Sequence, residues 1–396
     1  MGNPDIKLLM VTDVNNNKFY YMHDNENGTF SATWGRYGTS GKVTTYEISK
    51  WDKTFREKTG KGYVDITKNT AKLSSYASIP CVELDTLLNN FLDNSRQYVS
   101  KYTEFTSISD EAAAEFQGYL NKMQTEDDLK TFNDYLIKLF TIIPRPMAKV
   151  QDYLCKDLKD RNAFIQKEQK LLDNLVTQTK SAPKADDKKV TIEEAFGFTI
   201  SQCSDDEIDF IKKKLANDGF TRFKFNKAWK LNNPKREEGF KKYLEEHKLG
   251  EDAIKMYWHG TGTENILSIM ANGLLVRPSN VSYSGSCYGN GIYNAPNADK
   301  ASGYTSIAGS CWKGGSSRVA YMFINAVIMG KQFDCKDNYE KFDGMPIHSL
   351  DEEKFTKHNL GYDSVYAHAG GYLKRDEAIV YNQNQVACRY LVEFSV

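Results

Sequence analysis

The sequence predicts an α+β fold spread over several domains, with antiparallel sheets at either end and helices between them. Three observations predict it. Short strand-like runs separated by polar turns fill roughly the first 75 residues. Apolar residues recurring with the 3.6-residue period dominate from residue 80 to about 178. Short strand-like runs then return after residue 190, without the strand and crossover-helix alternation of a doubly wound sheet.

The first region opens with the strand candidate Ile6–Val11, followed by the polar turn Asn15-Asn16-Asn17 and a second strand over Lys18–Met22. Glu26-Asn27-Gly28 makes the next turn. Two more strands are expected over Thr29–Gly38 and Val43–Ile48. Lys50–Lys58 is a predicted helix, with Trp51 and Phe55 one turn apart and Gly60 as its stop. In the middle region Leu84, Leu87, Leu88, Phe91, Leu92, Tyr98, Val99 and Tyr102 share one helix face. Asp110-Glu111 starts another helix, since acidic side chains favour a helix N-terminus. A third carries Leu129, Phe132, Tyr135, Leu136, Leu139 and Phe140 and ends at Pro144 and Pro146. A long helix is predicted from about Met147 to Val176. Residues 179–189 lack apolar periodicity and are rich in charge, so they read as a linker.

In the last region Phe223–Leu231 alternates as a strand does, Asn232-Asn233-Pro234 breaks it, and Pro234–His247 reads as a helix. Strands are expected at Met256–Trp258, Gly291–Tyr293, Val319–Gly330, Ala378–Tyr381 and Tyr390–Phe394. Gly289-Asn290-Gly291 lacks the third glycine of a dinucleotide fingerprint, because position 294 is Asn294, so a Rossmann reading fails.

Bulk properties narrow the function. Lysine and arginine total 52 and so do aspartate and glutamate, which argues against a strongly basic nucleic-acid protein but leaves a local basic face open. No apolar run of about 18 residues is present, so no membrane span is expected. The N-terminus lacks the layout of a signal peptide, and Ile6 breaks the myristoylation pattern that Gly2 begins. Seven scattered cysteines without a C-x-x-C pair point to a reducing, intracellular setting and away from zinc fingers; no metal is expected.

Two stretches carry resemblances. Trp34-Gly35-Arg36-Tyr37-Gly38, with Glu57-Lys58-Thr59-Gly60-Lys61-Gly62-Tyr63 downstream, resembles a WGR domain, the module of poly(ADP-ribose) polymerases that sense DNA breaks. The resemblance implies that Trp34 stacks near a DNA end or nick and that Arg36 reaches its backbone. Residues 1–75 hold 11 lysines and arginines against 8 acids, weak support for an anionic partner. By position, and by the string Phe140–Pro144, the middle helices resemble the helical regulatory domain of the same enzymes.

Trp258-His259-Gly260, Gly291-Ile292-Tyr293, Lys300-Ala301-Ser302-Gly303-Tyr304 and Glu377-Ala378-Ile379-Val380-Tyr381 match, in order and context, the His-Tyr-Glu signature of the poly(ADP-ribose) polymerase family. The chain is thus read as 1–78 WGR-like, 79–178 helical regulatory-like, 179–189 linker, and 190–396 an ADP-ribosyltransferase domain of antiparallel sheets.

The resemblance implies NAD as substrate and protein acceptors, the protein itself among them. It places the protein in the nucleus of a eukaryote or the cytoplasm of a bacterium, and not at a membrane. It assigns Glu377, His259 and Tyr293 to catalysis. His259, Gly260, Tyr293, Ser302 and Tyr304 would bind NAD. The two tyrosines would sandwich the nicotinamide, Gly260 would offer its backbone to the carboxamide, His259 would meet a ribose hydroxyl, and Glu377 would steady the sugar cation.

Three positions depart from the family pattern. Ala301 stands where a serine usually bonds the carboxamide, so either Ser302 substitutes or that bond is missing. Asn290 replaces a common lysine, and Cys287 replaces a larger residue that holds the acceptor chain. A polymer-forming enzyme, a mono-transferase and a DNA-end-binding scaffold with an inactive transferase domain therefore all remain as readings, the first expected.

Overall fold

The computed structural model describes residues 2–71, 75–179, 189–276, 287–358, 360–371 and 373–396. Positions 180–188 of the expected linker lie outside them. The chain divides into two compact units, Met1–Ser74 with Arg96–Ser181, and Ser75–Ser95 with Ala182–Val396.

The first unit contains an antiparallel sheet of β1 (Ile6–Val11), β2 (Asn17–Asp24), β3 (Thr29–Arg36), β4 (Lys42–Glu47) and β5 (Val64–Asp65), in the order β4-β3-β2-β1-β5. The strands expected from sequence all form. Leu8, Tyr20, Met22, Phe30 and Ala32 turn one face of the sheet into a core. Helix α1 (Trp51–Gly60) closes it by placing Trp51 edge-on to Phe30 at 5.2 Å.

Helix α2 (Val82–Ser100) crosses the boundary between the units. Helices α3 (Asp110–Gln124) and α4 (Leu129–Ile142) start at the N-caps Ser109 and Asp128, whose side chains accept backbone N–H bonds. As the prolines require, α4 stops before Pro144. Helix α5 (Arg161–Thr179) starts well after the expected Met147. The intervening chain makes short 3₁₀ turns at Val150–Tyr153 and Leu158–Asp160, and Asp157 caps the second with its own side chain. Such local side-chain bonds compete with helix extension. The ion pair Arg145–Glu168, 2.6 Å long and fully buried, ties this segment to α5.

The second unit holds two sheets. One orders β6 (Thr199–Gln202), β7 (Lys224–Asn232), β16 (Val386–Ser395), β10 (Val319–Ile328) and β8 (Ile254–Gly260), all antiparallel. Central β10 is apolar along almost its whole length because both its faces are covered. Leu84, Leu87, Leu88, Phe91 and Leu92 of α2 pack into the core beside Trp229, Tyr321 and Leu391, with α6 (Ile192–Phe196) and α9 (Ile266–Asn272) adding to it. Helices α7 (Asp205–Asn217) and α8 (Pro234–Glu246) flank the sheet. The capping box Ser204–Glu207 opens α7, a start signal carried by near neighbours in the sequence.

The other sheet orders β11 (Gln332–Cys335), β14 (Ser364–Ala367), β15 (Glu377–Val380) and β9 (Ile292–Asn294). Its β11–β14 pair is parallel, a departure from the expected antiparallel arrangement. A long crossover makes this pairing possible. It carries the small hairpin β12 (Lys341–Phe342) and β13 (Met345–Pro346), and helix α11 (Glu352–Lys357). Short helix α10 (Ala298–Ser302) follows β9. No helix among the described residues is long and apolar enough to cross a membrane.

Candidate active site

The two sheets of the second unit meet where β8 ends. Trp258 and Ala295 exchange backbone hydrogen bonds of 2.8 and 2.7 Å, so the chain leaving β9 is stitched to β8. Trp258 is fully buried and its indole N–H donates to Asp218, which holds this corner rigid. His259 and Gly260 come next along β8, opposite Phe323 and Met322 of β10.

The corner fixes His259 against β9. Its Nδ1 lies 3.0 Å from the carbonyl oxygen of Tyr293. A carbonyl only accepts, so Nδ1 carries the proton. Burial pushes the imidazole pKa below its ordinary value, against the opposing pull of that carbonyl. The ring is therefore neutral near pH 7, with Nε2 as a lone-pair acceptor. Gly260 answers a packing demand: a Cβ there would stand 1.7 Å from the carbonyl oxygen of Ala301 in α10. Only glycine lets β8 pass this close to α10.

Strand β15 runs beside β9, with Ile379 opposite Tyr293 and Ala378 opposite Asn294. Glu377 thereby enters the same corner. It is 5 % exposed. Its Oε1 meets Lys300 Nζ at 2.8 Å, and the ammonium also donates to the carbonyls of Arg375 and Asp376. Its Oε2 is buried and has no hydrogen-bond partner among the described residues. Burial raises the carboxyl pKa above the ordinary carboxylate range, and the Lys300 charge opposes that rise. Burial likewise lowers the lysine pKa, against the pull of Glu377. The pair thus shares a poorly solvated site with one carboxylate oxygen unspent, and such an atom costs free energy unless something else bonds it.

Both signature tyrosines lie in this field. The Tyr293 hydroxyl donates to the Gly289 carbonyl and accepts from the Tyr288 backbone N–H, at 2.8 and 2.9 Å. Burial first, then Tyr381 and more weakly Glu377 and Cys287, raise its pKa well above the usual phenol value. Tyr304 follows α10. Burial, then Glu377 and Cys287, push its pKa up to about 12. Half-buried Cys287 lies in the same electrostatic neighbourhood.

The structure thus brings His259, Gly260, Tyr293, Tyr304 and Glu377 to one corner. Ser302 is placed otherwise. Its side chain is fully buried and its hydroxyl donates to the Asp299 carbonyl at 2.8 Å, inside α10. In the first unit, Trp34 is 39 % exposed, with Lys42 Nζ 5.8 Å from its ring. Arg36 is committed: it donates to the Met147 carbonyl at 2.8 Å and to the carbonyl and Oδ1 of Asn15 at 3.3 and 2.8 Å.

Residues 205–396 match the family of the poly(ADP-ribose) polymerase catalytic domain. The chain carries a poly(ADP-ribose) polymerase catalytic domain. Three relatives show the spread of this similarity. "Uncharacterized protein 101L" of Invertebrate iridescent virus 6 is 31% identical over 183 residues, 44% of this chain and 77% of that protein. "Putative poly [ADP-ribose] polymerase-like 100L" of the same virus is 28% identical over 193 residues, 48% of this chain and 94% of that protein. The Homo sapiens "Protein mono-ADP-ribosyltransferase PARP3" is 35% identical over 104 residues, 26% of this chain and 17% of that protein.

Within this domain, sequence reasoning gave Lys300 no role. Its partner stands far along the chain on another strand, and no local pattern announces that pairing.

Proposed function

We propose that this chain is a NAD-dependent ADP-ribosyltransferase acting on protein acceptors, itself included, and stimulated by DNA ends or nicks through its first unit. The observation that supports the transferase chemistry best is Glu377, buried with one oxygen on Lys300 and the other without a partner among the described residues, its charge felt by Tyr293 and Tyr304.

On this reading each residue has a task. NAD supplies a pyridinium–sugar bond that breaks with its electron pair leaving on nicotinamide. Tyr293 and Tyr304 hold that ring, each contact contributing about 0.5–1.5 kcal/mol beyond burial. Gly260 offers its backbone to the carboxamide. Ser302 would join only by giving up its bond to Asp299. Neutral His259 accepts a ribose hydroxyl at Nε2. Lys300 anchors Oε1 of Glu377, so that Oε2 faces the sugar and steadies the positive charge developing there. As the acceptor oxygen bonds to the sugar carbon, Glu377 takes the acceptor's proton.

A carboxylate at this position resembles the polymerising members of the family, so polymer formation is the reading preferred here. Mono-transfer is the second reading. Cys287 favours it, a small side chain in the electrostatic neighbourhood of Lys300 and both tyrosines, where the family's larger residue would hold an acceptor chain. Gel analysis with labelled NAD separates the two, a ladder against a single band. Nicotinamide release with and without nicked DNA tests the whole proposal, and release that survives loss of Glu377 would overturn it.

For DNA sensing, exposed Trp34 is the residue free to stack on a nucleotide. Trp34→Ala is expected to lower the ratio of DNA-stimulated to unstimulated turnover. An unchanged ratio would remove the stacking role. Arg36 would reach DNA only by releasing Met147 and Asn15.

A further inference from the structure

One aromatic residue near the site has no part in the mechanism above. Trp312 is 63 % exposed. Its indole lies over the ring of Tyr304, with centroids 5.9 Å apart and planes 21° from parallel, an offset stack. An isolated exposed tryptophan needs no explanation. This one is held in place.

The backbone N–H groups of Trp312 and Lys313 both donate to the Gly303 carbonyl, at 2.9 and 3.2 Å. The Lys313 ammonium meets Glu264 at 2.6 Å, and the Ser306 hydroxyl accepts from the Thr263 N–H at 3.0 Å. These two bonds fasten the loop to the turn just after His259 and Gly260. The loop is zipped at its base by Ser317 N–H to Ser306 O and Ala308 N–H to Ser317 O. Gly303 makes room for the indole: a Cβ there would stand 2.7 Å from Trp312 Cδ1, although its φ of −62° suits any residue.

We propose that Trp312 is a positioning residue of the NAD site, backing the Tyr304 ring so that its opposite face is fixed to receive the nicotinamide. The inference rests on the reading of Tyr304 as a nicotinamide-facing ring. A tyrosine pressed between an indole and a pyridinium cannot tilt away, and stacked electron-rich rings favour the cation of NAD. Loss of one such aromatic contact corresponds to about a 3- to 10-fold change in affinity.

The test is steady-state nicotinamide release by the full chain, with 3-aminobenzamide as a neutral probe of the same subsite. Trp312→Ala is expected to raise KM for NAD about 3- to 10-fold with kcat within about twofold. Trp312→Phe should restore most of the loss. Gly303→Ala, whose Cβ would meet the indole at 2.7 Å and the Lys300 carbonyl less closely at 3.2 Å, should reproduce it. A Trp312→Ala enzyme with unchanged KM overturns the inference, and so does one whose kcat and melting temperature fall together without rescue by phenylalanine. Should a variant fail to fold, the other two still decide. A wild type that neither releases nicotinamide nor binds 3-aminobenzamide overturns the transferase reading and this inference with it. An active wild type with an indifferent Trp312→Ala overturns this inference alone.

Discussion

Among the described residues, each unit holds a closely buried ion pair, and the two pairs differ in what they leave undone. In the first unit Arg145 and Glu168 meet at 2.6 Å with side chains 3% and 5% exposed. In the second, Lys300 and Glu377 meet at 2.8 Å with side chains 8% and 6% exposed. Burial and distance are nearly the same. Arg145 also donates to the Ile143 carbonyl and lies over the Phe140 ring. Neither it nor Glu168 is among the described side chains with a buried, unpaired polar atom, whereas Glu377 Oε2 is. A buried pair repays its desolvation only when the remaining lone pairs are bonded. The Arg145–Glu168 pair shows no such open atom among the described residues. The Lys300–Glu377 pair leaves Oε2 without a partner among the described residues, and that is the atom the proposed chemistry uses.

The sharpest way to break this comparison is to remove the unspent oxygen. Glu377→Gln keeps the shape and loses the charge. Nicotinamide release is expected to fall by about 10²- to 10⁴-fold, far more than any loss of folded enzyme in the thermal melt accounts for. A fall of less than about tenfold would place Glu377 outside the chemistry.

Next in size is the structural pair. Glu168→Ala strands a buried guanidinium and is expected to cost the first unit about 3–5 kcal/mol, read by chemical denaturation. A cost below about 1 kcal/mol would show that this pair is not saturated as described.

The smallest effect sharpens the comparison through pH. Burial already raises the Glu377 pKa, so the acid limb of activity should lie above the ordinary carboxylate range. Lys300 favours the anion, so removing it must raise that pKa further. Lys300→Met should therefore move the acid limb to higher pH in a pH–rate profile. An unmoved limb would mean that Lys300 only packs.

Much of the fold was legible in the chain. Trp51 and Phe55 one turn apart mark α1, Pro144 stops α4, and the apolar run from Val319 announces a strand covered on both faces. These signals work because they act between near neighbours, through backbone geometry and the period of burial. The site was legible as residue types in order: His259, the two tyrosines and Glu377 each stand beside a recognisable run. The start of α5 was misread because the apolar pattern persists through a stretch where the Asp157 side chain accepts the Lys159 backbone N–H. The parallel pairing of β11 with β14 left no local trace, since it depends on a crossover that carries other elements.

Residue identity and local periodicity, which are properties of neighbouring positions, were legible in the sequence alone: most of the helices and strands named there, and the order of the His259, Tyr293, Tyr304 and Glu377 motifs. Partnership was settled only by the tertiary structure. It joined Lys300 to Glu377, committed Arg36 to Met147 and Asn15, withdrew Ser302 into α10, and laid Trp312 on Tyr304. Hydrogen bonds and ring stacks are decided over a few ångströms in space, and chain separation carries little information about which groups will meet there.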